Sequence, residues 1–346
     1  MVPKALALFA STGLRINALI GNERARQLAL DALEILAADT QAGPYAWGYH
    51  WDVQTRWSFY PAGSPSVVNG AFVIGALLEA ERDAGRRDLG DRARRAARWL
   101  VDHLWIEPEG FFAYHPHSRA NIHNANLLGA WAAGAALGDD TDVRERISRA
   151  VERTLADQRP DGSWPYGEGE ASLGWADSFH SGYILICLER LRAVDSGVGD
   201  AIARGARFYE RFFDPSGEAR LWANRRYPLD GHSAGTGLSA LALLVRRGHA
   251  EQELLDRVAR KLLSTGIQGG HVVFRRYRWG LRSFVHYIRW CDAHAALGLV
   301  DAALAISGQD DRAPTLAERV DMPSRYTDAA SSSGRHAVRT KQPQLQ

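Results

Sequence analysis

The chain has 346 residues, 46% of them hydrophobic and 24% charged, which is the composition of a soluble globular protein. The length admits two ordinary domains or one large closed array. A formal net charge of +2 implies no strong electrostatic partner, so nucleic acid is not expected as a ligand.

In chain order, residues 1–22 read as an N-terminal segment, with a short apolar run from Ala5 to Ala10 that is weak for a signal peptide. A charged amphipathic helix is expected over 23–39. An aromatic and glycine-bearing stretch follows (GPYAWGYHWD), and then an apolar helix over 66–83. The unit recurs four times. Helices over 86–104 and 122–137 flank GFFAYHP, those over 142–158 and 177–193 flank DGSWPYGE, those over 197–212 and 232–247 flank GEARLWAN, and those over 250–265 and 284–303 flank GGHVVFRRYRW. Gly110, Gly162, Gly217 and Gly270 stand 52, 55 and 53 residues apart, and Asn69, Asn124, Asp177, Asp230 and His286 stand 55, 53, 53 and 56 apart. A period of this length means a repeat architecture. Residues 308–346, rich in Ser, Asp, Arg and Gln, read as a disordered tail.

The first helix of each unit has one wet side. In 142–158, Val143, Ile147, Ala150, Val151 and Leu155 keep helical spacing while Arg and Glu fill the other face. The second helix is apolar nearly all round, as in NANLLGAWAAGAAL, which is the pattern of a buried helix. The expected fold is all-α: an (α/α) toroid of five to six helical hairpins over 23–307, with inner helices ringed by outer ones. Five pairs are visible, and the sixth is missing or supplied in part by the terminal segments. The aromatic stretches gather at one end of the ring, where the N-termini of the inner helices also point.

At that mouth the inner helices begin with polar residues: Asn69; His123, Asn124 and Asn126; Asp177 and His180; Asp230 and His232; His286, Arg289 and Asp292. Taken singly, each Asn or Asp reads as an N-cap. His180 lies three residues after Asp177, on the same helix face, and His286, Arg289 and Asp292 likewise share a face. Convergence of these starts favours a site. Aromatics at the same end, among them Trp47, Tyr49, Trp57, Tyr60, Tyr114, Trp164, Tyr166, Trp175 and Trp290, suit stacking on sugar rings, though each could equally pack its own hairpin.

Two chemistries stay open. Asp177 and Asp230, at equivalent places in consecutive repeats, can act as the carboxylate pair of a glycosidase. A uronate lyase would instead use Asn124, Arg289 and His180, with Tyr183 or Tyr166 as proton donor. Neither a cofactor nor a metal is assigned. The acidic run Asp139, Asp140 and Asp142 falls at the opposite end and reads as a helix cap. Of the basic residues 39 are Arg and three are Lys (Lys4, Lys261 and Lys341). Only Lys261 falls within the repeat, so lysine chemistry is not expected. Cys187 and Cys291 read as buried thiols. No run reaches the roughly 18 apolar residues of a membrane span, and a cytoplasmic location is expected.

QRPDGSWPYGE (158–168) resembles the repeat signature of squalene-cyclase and prenyltransferase toroids, without their acidic motif at the mouth or their zinc set. WGYHWDVQTRWSFYPAGSPSVVNGAFV from Trp47, HNANLLGA from His123, WADSFHSGYIL from Trp175, PLDGHSAG from Pro228 and HYIRWCDAHAAL from His286 resemble, over nearly the whole array, a bacterial VpsJ-like family encoded in polysaccharide-synthesis loci. That family is related in fold to six-hairpin glycosidases. Some members carry the label delta-aminolevulinic acid dehydratase, which the absence of βα alternation argues against. The resemblance implies a toroid and a context of exopolysaccharide or O-antigen metabolism.

The combined expectation is a carbohydrate-active glycoside hydrolase or uronate lyase with Asp177, His180, Asp230 and His232 near the chemistry. Asp52, Arg56, Trp57, Asn69, His123, Asn124, Asn126, Tyr166, Trp175, His286, Arg289 and Asp292 would hold an oligo- or polysaccharide, free or lipid-linked. The runner-up is a non-catalytic glycan-binding or assembly factor. A third reading, a prenyl or terpenoid enzyme, requires a deep apolar cavity within the ring.

Overall fold

The computed structural model describes residues 1–54, 59–169, 171–194, 197–310 and 312–314. Its helices are α1 (Pro3–Ile20), α2 (Glu23–Ala38), α3 (Val67–Ala84), α4 (Arg87–Leu104), α5 (His123–Leu137), α6 (Thr141–Ala156), α7 (Ser178–Arg190), α8 (Val198–Tyr209), α9 (Gly231–Arg246), α10 (Gln252–Lys261) and α11 (Ala293–Ile306). The odd-numbered helices form a closed inner ring, with α11 meeting α1. The even-numbered helices wrap it, each against the inner helix that precedes it in the chain. The chain is an α/α toroid. No helix among the described residues is long and apolar enough to cross a membrane.

Setting residues 1–22 apart from the toroid is corrected by α1, which is the sixth inner helix. It stands outside the repeat legible in the sequence, whose first outer helix is α2. Its two charged side chains, Lys4 and Arg15, both point inward and are buried. Arg15 meets Glu79 of α3 at 2.5 Å and also pairs with Asp301 of α11, whose other oxygen accepts from Ser239 at 2.6 Å. This charged triad ties three inner helices together in the body of the ring.

The close approach of inner helices depends on missing side chains. A Cβ on Gly298 would lie 2.3 Å from the carbonyl oxygen of Gly235, on the neighbouring helix α9. Backbone cannot yield as a side chain does, so Gly298→Ala should cost about 1–3 kcal/mol through overpacking, read as a lowered Tm.

Caps set the helix starts. Asp177 and Asp230 accept the backbone N–H of His180 and Ser233 at 2.9 and 2.8 Å. Asp140 likewise caps α6, accepting from Asp142 and Val143, as read from the acidic run. The last inner helix starts later than 284. Residues 275–283 are folded as a hairpin, with Tyr277 N–H donating to Leu281 O and Ser283 N–H to Arg275 O. A π-helical turn, Ile288–Asp292, then leads into α11. His286 therefore lies outside the helix, and His286, Arg289 and Asp292 do not share a face.

Short two-stranded ribbons line the mouth end: Val53–Gln54 with Phe59–Tyr60, Trp105–Ile106 with Phe111–Phe112, Leu229–Asp230 with Arg275–Arg276, and Ile267–Gln268 with His271–Val272. Trp47 and Trp164 are buried beneath this layer and donate their indole N–H to Leu36 O and Thr154 O at 2.9 and 3.0 Å. At the far end, Arg246 holds the carbonyl of Gln309 and Arg82 that of Arg312, while Trp131 Nε1 donates to Pro314 O at 2.8 Å. Part of the stretch read as a disordered tail is thus pinned across the ring. The rest of it, 315–346, lies outside the described residues.

Candidate functional site

A cavity of about 270 Å³ opens at the mouth, among the N-termini of the inner helices. Its floor is Lys4, in the first turn of α1. Its backbone N–H donates to Asn69 Oδ1 at 3.1 Å, and its Nζ donates to the Tyr183 hydroxyl at 3.1 Å. The same hydroxyl meets Nε2 of His294 at 2.8 Å and Nε2 of His232 at 3.2 Å. A phenol donates one hydrogen bond and accepts two. The set is therefore satisfied when one imidazole accepts from Tyr183 and the other donates to it.

Burial governs the protonation of these groups. It pushes the Lys4 amine from 10.5 down to about 7, with the nearby Arg289 charge adding to the effect. It holds His232 and His294 well below the usual imidazole value, and Tyr183 well above the usual phenol value. The reading that left Lys4 outside the array is corrected on this point, since Lys4 lines the cavity.

For Lys4 the sign of the pH effect is fixed. The folded chain resists protonating this amine, so between about pH 7 and 10.5 the unfolded chain binds more protons and stability rises with pH. A Lys4→Met variant lacks this penalty. Its gain in Tm over the native protein should be largest below pH 7 and should fade as pH rises towards 10.5.

One wall is aromatic. Tyr166 and Trp175 stack at 4.4 Å and 11°, with His180 tilted beside them at 4.6 and 5.5 Å. His180 Nδ1 lies 2.9 Å from both oxygens of Asp177. That contact places the proton on Nδ1 and leaves the Nε2 lone pair available. The facing wall carries cations. Arg289 lies over Trp290 at 4.4 Å and Tyr49 at 5.5 Å, and Arg275 over Phe274 at 4.6 Å. Arg275 Nε donates to Asp230 Oδ2 at 3.0 Å, yet burial still raises the Asp230 carboxyl above its ordinary value. Asn124 also lines the cavity, and its buried Oδ1 accepts no hydrogen bond within the protein. Among the described residues that line the cavity there is no Asp or Glu.

The structure thus brings together His180, His232, Asn124, Tyr166, Trp175 and Arg289 of the expected set. It puts the others elsewhere. Asp177 and Asp230 sit behind the wall as helix caps and supports for His180 and Arg275. Asn69 caps α1 through Lys4 N–H. Asn126 bonds Phe112 N–H, Ala150 O and Thr154 Oγ1. His123 is buried, with Nε2 3.1 Å from Asp157, and Glu168 beside that pair is occupied by Arg153 at 2.6 Å. His123, Asp157 and Glu168 have metal-ligand spacing, but this fixed cation beside them suits an ion-pair network better than a bound metal. Asp52 is exposed and accepts from Ala62 N–H in its hairpin. Asp292 holds His271 Nδ1 and Val272 N–H, each at 2.8 Å, and exposed His286 packs on His271 at 4.3 Å. Arg56 and Trp57 lie outside the described residues.

The helix-start pattern marks none of Lys4, His294 and Arg275, and Tyr183 enters it only as an alternative proton donor. A depression of about 420 Å³ next to Trp175 is larger, but its Asp161 is used by Ser163 N–H and Oγ, and it contains no imidazole.

No protein-family model and no curated protein matches the chain. Solved structures do. Cellobiose 2-epimerase from Bacillus thermoamylovorans B4167 aligns with TM-score 0.68 and 12% identity over 87% of each chain. A sugar epimerase from a ruminal bacterium aligns with TM-score 0.67 and 12% identity over 90% of this chain and 88% of its own. An unsaturated glucuronyl hydrolase specific for heparin aligns with TM-score 0.65 and 12% identity over 89% and 87%. The chain shares their fold. Such low identity carries no residue from those proteins onto this one.

Proposed function

We propose that the protein is a carbohydrate-active enzyme that moves a proton at the carbon beside a sugar's carbonyl or carboxylate group, as an epimerase or a uronate lyase does. The observation that carries this reading is the cavity lining: an imidazole backed by a carboxylate, two arginines, a Lys–Tyr–His cluster, and no Asp or Glu among its described residues. Hydrolysis by a carboxylate pair needs both carboxylates against the glycosidic bond. Asp177 and Asp230 are instead committed to caps and to His180 and Arg275. Proton removal from carbon needs a base with an available lone pair and cations or donors for the enolate oxygen. His180 supplies the first, and Arg289, Arg275 and Asn124 the second. Tyr183, joined to Lys4, His232 and His294, returns the proton from below. Tyr166 and Trp175 offer the stacking face for the ring, and the arginines favour an anionic sugar.

The saccharide class is supported by the epimerases and the glucuronyl hydrolase that share the fold. An exopolysaccharide or O-antigen context rests on the sequence resemblance alone. The polar floor and the Arg15–Glu79–Asp301 triad beneath it weigh against a prenyl or terpenoid substrate, which would need an open apolar tunnel.

The test is incubation in heavy water with a panel of uronic-acid oligosaccharides and reducing disaccharides. Deuterium at the carbon beside the carbonyl, or the ultraviolet absorbance of an unsaturated uronate, supports the reading. New reducing ends with neither signal would show hydrolysis. Saturable binding with no product would show a glycan-binding factor.

A further inference from the structure

Beside the cavity, the 275–283 hairpin and the residues after it, up to 288, carry an exposed apolar strip. Trp279, at its tip with φ 59°, is 82% exposed, and Phe284 is 80% exposed. Leu281, Val285 and Ile288 are each more than half exposed, at 64%, 57% and 51%. Single exposed apolar residues are ordinary on protein surfaces, but five within the ten residues 279–288 make a concentrated apolar strip.

The strip is also cationic. Arg278 lies 4.9 Å from the Trp279 ring centre and Arg282 5.7 Å from that of Phe284. Between Asp256 and Asp292 the sequence contains no acidic residue. At the base of the hairpin, Arg275 pairs through Nε with Asp230 and Arg276 with Glu218. Arg278 and Arg282, nearer the tip, have no carboxylate beside them among the described residues. The same stretch gives Phe274, Arg275, Arg289 and Trp290 to the cavity wall, so whatever the strip docks on lies next to the mouth.

We propose that this hairpin seats the protein on an anionic lipid surface. Trp279, Leu281, Phe284, Val285 and Ile288 enter the interface, and Arg278 and Arg282 lie on the headgroups. Tryptophan belongs at that depth because its ring is apolar and its N–H is polar. Arginine stems lie along apolar surface while their heads stay with the phosphates. Attachment of this kind draws on buried apolar area and on attraction to anionic lipid together, and the hairpin offers both. A second copy of the chain fits less well, because a two-fold contact would set Arg278 and Arg282 against their own images. The inference is independent of the proposed reaction.

The experiment is co-sedimentation of the full chain with vesicles of phosphatidylcholine, and with vesicles of phosphatidylcholine and phosphatidylglycerol. The expected result is binding to the anionic vesicles alone, weakened by salt and reduced by about tenfold or more in a Trp279→Ser/Phe284→Ser variant. Both side chains are exposed, so that variant keeps its fold, which circular dichroism checks. An Arg278→Glu/Arg282→Glu variant should also lose binding. Native protein that stays in the supernatant with both vesicle types overturns the proposal, as does equal binding by the variants. So does light scattering that finds a native dimer made monomeric by the Trp279→Ser/Phe284→Ser change without any vesicle binding.

Discussion

His180→Ala is expected to lower turnover by about 10²–10⁴-fold, the usual contribution of a positioned general base, while KM changes little. The imidazole lies at the cavity wall with its Nδ1 held by Asp177, so its removal deletes the base and leaves the aromatic stack of Tyr166 on Trp175 in place. Asp177→Asn makes the sharper comparison. An amide oxygen can still cap α7, so the fold should hold, but the charge that orients and stabilises His180 is gone. Turnover should fall in this variant too, because the imidazole is no longer held by a carboxylate on its Nδ1. Full activity in a folded His180→Ala protein, measured as deuterium uptake or as unsaturated product, would remove His180 from the chemistry.

The largest effect on stability is expected at Arg15. Its guanidinium is buried between Glu79 and Asp301, and Arg15→Ala leaves two carboxylates facing each other without a cation. Breaking a buried ion pair from one side costs about 3–5 kcal/mol, because the remaining charges stay desolvated. Chemical denaturation should show the midpoint falling by a corresponding amount. Changing all three together, Arg15→Met with Glu79→Leu and Asp301→Leu, should recover most of the loss, since an apolar trio has no such penalty. A triple variant as unstable as Arg15→Ala would mean that the triad contributes through geometry rather than through compensated charge.

The repeat made the ring legible. Apolar second helices and half-wet first helices follow from burial on every face or on one, and their N-termini fall together at the mouth for the same reason. What it hid was α1. The alternation of outer and inner helices is first legible from residue 23, so Lys4 falls outside every unit. His294 was obscured in a related way, because the hairpin and π turn before it delay the start of α11. The two aspartates misled because an N-cap and a catalytic carboxylate occupy the same place on a helix. Only the hydrogen bonds show that Asp177 and Asp230 face backbone and neighbours rather than the cavity. His180 is the exception, since its spacing from Asp177 carried both the cap and the supported imidazole.

The segment that Arg246, Arg82 and Trp131 pin across the far end has a consequence for traffic. With the triad filling the middle of the ring and this strap beneath it, a polymer cannot be threaded through. Whatever reaches Lys4 enters head first and backs out by the same door. For the proposed reaction this predicts action at chain ends: a long glycan would present only a terminus and be altered one unit at a time rather than at random.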